Sequence, residues 1–177
     1  MREVTRPLSR PRDAQRARVY RAEDAWAARL DAARRGAALA TVGGSGVLLP
    51  AEMRFGSLST ASSYAESVVA LPAVVAVASR LTAPELRPRR GLRAAHWEAP
   101  GVIALPVPAH GEPWALRESV LLHELAHHVG ERGGISTGHR APFPAVVLLL
   151  VQAVLGEEAA FALRVAYGEE NVEVGVV

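Results

Sequence analysis

The run Leu122-His123-Glu124-Leu125-Ala126-His127-His128 sets the pattern H-E-x-x-H within apolar residues at helical spacing, and it restricts the fold more than any other feature. On a helix, residues four apart share a face, so His123 and His127 can turn two imidazole nitrogens toward one divalent cation with Glu124 beside them. A catalytic zinc site needs three protein ligands, one open position and a carboxylate near enough to take a proton from water. The helix supplies two ligands and the base, so the fold must bring a third donor to it. The flanking positions Leu121, Leu122, Leu125 and Val129 continue an apolar stripe, which predicts a mostly buried helix where unpaired His and Glu would be costly.

The third ligand lies outside the motif. A metzincin would carry His three residues after the glycine of the extended motif; Gly130 is present, but position 133 is Gly133. His139 is the leading alternative, because the Gly-rich segment from Gly130 to Gly138 can turn the chain back before His139 opens the next helix. Glu131, Glu157 and Glu158 are carboxylate alternatives. His128 points about 100° away from His127 around the helix, which suits a supporting or surface role better than ligation.

The segments H-E-L-A-H-H and Gly138-His139-Arg140-Ala141-Pro142-Phe143 together resemble the SprT-like and related minimal zincins, although Arg140 stands where that pattern has Gly. A closer resemblance is to an uncharacterised metallohydrolase family of actinobacteria and their phages. It is carried by Arg12-Asp13-Ala14-Gln15-Arg16-Ala17-Arg18-Val19-Tyr20, Arg54-Phe55-Gly56-Ser57-Leu58, Ala94-Ala95-His96-Trp97-Glu98 and Trp114 through His128. This resemblance spans residues 12–168 and implies zinc ligands at His123, His127 and His139 with Glu124 catalytic. It implies no substrate.

With 177 residues, half of them hydrophobic, the chain can bury one core, and a single domain over 12–168 is expected, with a flexible lead at 1–11 and a tail at 169–177. Cysteine is absent, which excludes disulfides and thiolate metal sites and leaves nitrogen and oxygen donors. No apolar leader is visible at the N-terminus, and the apolar run from Pro144 to Leu155 is too short to span a bilayer, so a cytoplasmic protein that does not enter membranes is expected. All 20 basic residues are Arg, and residues 1–35 hold ten of them against five acids. A basic helix for nucleic-acid phosphates is one reading. A solvated face with intrahelical pairs, such as Asp13 with Arg16 and Glu23 with Arg21, is favoured.

The pattern predicts a helix from residue 12 or 13 to Gly36 with Val19, Tyr20, Ala25, Trp26, Leu30 and Ala33 inward, then a hairpin over 37–49 turning at Gly43-Gly44-Ser45-Gly46. A helix over 55–71 capped near Ser57, a further short helix over 72–80, strands at 86–93 and 94–105, and helices at 142–155 and 157–167 follow. The expected class is α+β, a minimal zincin-like domain with helices flanking a small sheet. By analogy with that fold, Gly101 to Pro106 is the candidate edge strand for an extended peptide. His96 either orients substrate or is a hydrogen-bonded structural residue, the latter favoured, and His110 sits in a polar exposed loop. The expected activity is zinc-dependent amide hydrolysis of a peptide or protein substrate with Glu124 as general base. The alternatives are a metal-dependent hydrolase of a non-peptide bond and a non-catalytic nucleic-acid-binding module.

Overall fold

The computed structural model describes residues 13–91, 94–107, 114–135 and 138–177. The expected N-terminal lead and His110 lie outside these residues. The class is α+β: the described residues form six helices and two small sheets in the order α1 (Arg16–Arg34), β1 (Leu39–Val42), β2 (Ser45–Leu48), α2 (Leu58–Val69), α3 (Pro72–Val77), β3 (Glu85–Arg89), β4 (His96–Glu98), β5 (Val102–Pro106), α4 (Glu118–Arg132), α5 (Pro142–Leu155) and α6 (Glu157–Glu169).

Local chemistry accounts for most boundaries. Ser57 accepts from the Thr60 amide while the Thr60 hydroxyl accepts from the Ser57 amide, a reciprocal cap that starts α2. Proline at the first turn of α3 and of α5 costs no helical hydrogen bond there. Gly43 and Gly44 both take positive φ, the conformation a two-residue hairpin turn between β1 and β2 requires. In α1 the buried residues are Val19, Ala22, Trp26, Ala27, Leu30 and Ala33. Ala25, expected inside, is exposed, because the inward stripe advances through Ala22 instead.

Helix α4 lies at the centre. Every residue from Leu121 to Gly130 is buried, because α2 and α3, α5 and the β4 strand pack around it. α5 joins α4 to α6, and α6 carries α1, pinned where the Trp26 indole donates to the Ala159 carbonyl at 3.0 Å. Among the described residues, no helix is long and apolar enough to cross a membrane.

The three-stranded sheet differs from the expected order. The strands at 86–93 and 94–105 read as neighbours joined by a turn at Arg90-Gly91, yet the order is β3-β5-β4, with β5 parallel to β3 and antiparallel to β4. β5 buries Ile103, Ala104 and Leu105 and therefore takes the middle, where both faces and both edges are covered. The Gly101 to Pro106 segment is thus not an edge. β3 and β4 are the outer strands, and β4, with the half-exposed sequence His96-Trp97-Glu98, is the one that packs on α4.

Candidate metal centre

His123 and His127 project from consecutive turns of α4, and His139 meets them from the bend ahead of α5 rather than from the helix itself. All three are buried, and one nitrogen from each lies within 4.8 Å of the others. Phe143 packs on all three rings, with centroid distances of 4.2–5.0 Å. The carboxylate alternatives Glu131, Glu157 and Glu158 are not part of this cluster.

The hydrogen bonds on the far side of two rings fix their proton positions. His123 Nδ1 lies 2.6 Å from Glu23 Oε2, and His139 Nδ1 lies 2.7 Å from Asp13 Oδ2. An ionised carboxylate only accepts, so each Nδ1 carries the proton, and each ring, when neutral, then presents a bare lone pair at Nε2. Those two Nε2 atoms face each other at 3.3 Å. Two lone pairs aimed at one another repel, and a cation between them converts that repulsion into ligation. Tetrahedral coordination with bonds of about 2.0–2.1 Å separates ligand nitrogens by about 3.3–3.4 Å, which matches the observed spacing. The residues present therefore fit a divalent ion with three imidazole ligands.

Asp13 and Glu23 were expected as partners of arginines on the helix surface. Instead each clamps a histidine, and Glu23 also accepts from the buried Tyr167 hydroxyl at 2.7 Å. Gln15, buried ahead of α1, donates to the His139 carbonyl at 2.6 Å and to the Glu173 carbonyl, and accepts from the Glu173 amide, so the C-terminal segment is tied to the same bend. Gly175 approaches the Ala141 backbone so closely that a side chain there would collide with it. One sequence signal points to these residues: 13, 16, 20 and 23 share one face at helical spacing, polar beside the buried stripe.

Burial raises the Glu124 carboxyl above its ordinary value; His123 and the backbone amide of Trp97 on β4, which donates to it, pull the other way. Burial lowers the His139 pKa and His123 adds to the effect, which favours the neutral ring a metal requires; Asp13 opposes them. Burial also acts to lower His123, but the Glu23 carboxylate overrides it.

His128 is neither on the surface nor a ligand. Its Nε2 donates to the Thr82 carbonyl at 2.8 Å and its Nδ1 accepts from the Trp97 indole, so both nitrogens are used in joining α4 to β4 and to the loop ahead of β3. His96 is likewise fully engaged. Its Nδ1 accepts from Arg89 and its Nε2 contacts Glu98 at 2.7 Å, as a structural histidine would.

A cleft reaches the three histidines from two sides. One arm, a cavity of about 390 Å³, runs past Ala27, Trp114, Val120, Asp24 and His123; the other passes Arg89, His96, Trp97, His127 and His139. Arg16, Tyr20 and Glu124 line both. No family model, curated protein or solved structure matches the chain. Its chemistry is therefore argued from the donors themselves.

Proposed function

We propose that the protein is a zinc-dependent hydrolase of amide bonds, most naturally peptide bonds, with Zn²⁺ held by His123, His127 and His139 and with Glu124 as general base, in a domain of the minimal zincin type. The observation that carries this reading is the pair of Nε2 atoms converging at 3.3 Å, each ring backed by a carboxylate, beside a buried Glu. Three nitrogen ligands and no thiolate suit zinc with one position left open. When bound, the ion would polarise a carbonyl oxygen and make water in the open position more acidic.

The chain's own groups supply the remaining steps. Glu124 takes a proton as water adds to the carbonyl carbon, then returns it to the amine nitrogen as the carbon–nitrogen bond breaks. Its raised affinity for protons suits both transfers. The Trp97 amide favours the ionised form of that carboxylate, and β4 is an outer strand of the sheet, where an extended chain could pair with the backbone. The two cleft arms, meeting at Glu124, accommodate groups on both sides of a scissile bond.

The nucleic-acid reading has less support. Arg21 and Arg29 of α1 pair with Glu170 and Glu169 at the end of α6, and Arg34 and Arg35 pair with Asp31, so much of the helix's positive charge is answered within the fold.

The test has two readouts. Protein purified without added metal or affinity tag is expected to hold about one zinc per chain, with most of it lost in His139→Ala. Glu124→Gln is expected to retain zinc while hydrolysis of a peptide substrate falls by at least about a hundredfold. Undiminished hydrolysis in Glu124→Gln removes the general-base role, and absence of metal from the wild type removes the proposal.

A further inference from the structure

Seven of the described arginines are answered by carboxylates: Arg21, Arg29, Arg34, Arg35, Arg54, Arg87 and Arg117 each lie in an ion pair. Two that line the cleft beside the histidines are not. Among the described residues, no carboxylate lies within ion-pair distance of Arg16 or Arg89, and both border the arm that holds His127 and His139.

Both guanidiniums are held in place. Arg16 lies over the Tyr20 ring at 5.4 Å from its centre. Tyr20 in turn stacks on His123, with ring centroids 5.2 Å apart and planes 23° from parallel. Arg16 is therefore one aromatic ring away from a candidate ligand. On the other side, Arg89 donates to the Ala94 carbonyl and to His96, which fixes it against β4. The acids around the cleft make their hydrogen bonds to other groups, although the Asp13 carboxylate still feels the Arg16 charge. Asp13 and Glu23 are engaged by His139 and His123, and Glu98 is engaged by Arg87 and His96. Glu124 is the base, and Asp24 belongs to the opposite arm.

We propose that Arg16 and Arg89 are the specificity residues of this cleft and that they select a substrate bearing a carboxylate close to the bond that is cut. Guanidinium groups bind carboxylates through paired N–H donors in a fixed fork, and a fork held by neighbouring groups loses less freedom on forming that contact. The carboxylate belongs either to the end of a peptide chain or to an acidic side chain. This inference rests on the metal-hydrolase reading above.

Hydroxamates separate the two questions, because the hydroxamate binds the zinc and the attached group samples the cleft. The probes are two matched pairs: hydroxamate-capped alanine as free acid and as amide, and hydroxamate-capped glutamate amide and glutamine amide. Affinities are measured by calorimetry on the zinc-loaded full chain. The acid of at least one pair is expected to bind about tenfold or more tighter than its neutral partner. The pair that discriminates identifies the carboxylate's origin. That ratio is expected to collapse toward one in Arg16→Met and to fall in Arg89→Gln, with Arg16→Lys intermediate because ammonium keeps the charge without the fork.

Equal affinity for acid and amide in both pairs, with the neutral probes binding, overturns the carboxylate proposal and leaves the metal centre standing. A ratio that survives both Arg16→Met and Arg89→Gln removes these residues from the role. No binding of any hydroxamate to zinc-treated protein overturns the metal reading and this proposal with it.

Discussion

Asp13 and Glu23 show how much of the proposed metal site lies outside its motif. Each carboxylate orients an imidazole by accepting from Nδ1, keeps Nε2 bare, and makes that nitrogen a stronger donor. Asp13→Asn and Glu23→Gln are expected to weaken zinc binding by about ten- to a hundredfold each while leaving the three histidines in place. Competition with a calibrated chelator reads this directly, and unchanged affinity in both variants would make the carboxylates bystanders. The candidate helix ligands and the candidate base were legible in the sequence because a four-residue spacing on a helix is a local property. The clamps were not, because an acid on an Arg-rich helix has many exposed partners on offer. What decides among them is which face α1 turns to α4, a tertiary fact.

At the level of elements, α1 holds the site from behind, and its C-terminal half is fastened by Asp31. That carboxylate contacts Arg54 at 2.6 Å, with Arg34 and Arg35 close by. The Arg54 hydrogen bond is the main cause of a carboxyl pKa lowered to about 2. A carboxyl that is more acidic when folded stabilises the fold fully above its unfolded value near 4, and that contribution disappears as pH falls through 2. Because the pair is partly solvent-screened, the contribution is about 1 kcal/mol. Asp31→Asn is therefore expected to be less stable than wild type at neutral pH, with the two converging near pH 2, as urea titrations across that range can measure. A constant difference at every pH would assign the loss to packing. The order of the three-stranded sheet was hidden from the sequence for a related reason. β3 and β4 are neighbours along the chain, yet β5 separates them because its apolar residues demand the covered middle position.

For the whole molecule, the proposed centre joins two segments directly, α4 and the bend ahead of α5, while Asp13 and Glu23 bring α1 into the same construction and Gln15 adds the C-terminal segment. An ion that binds only the folded chain should therefore stabilise it globally. Zinc at a thousandfold excess over its dissociation constant contributes about 4 kcal/mol, or roughly 10 °C in melting temperature for a chain of this size. Chelator-treated protein is expected to melt lower by that order, with the shift absent in His139→Ala; identical melting with and without zinc would argue against the centre. By itself the sequence determined what local periodicity and capping can encode: the α+β class, the buried helix with its candidate ligands and base, the Pro-started α5 and the glycine hairpin. It also made His139 the leading third donor. Only the tertiary structure decided which acids back the histidines, that β5 rather than β4 lies inside the sheet, and that His128 is a buried clip. These outcomes depend on contacts between segments far apart in the chain, where packing and burial choose among partners that the sequence leaves equally available.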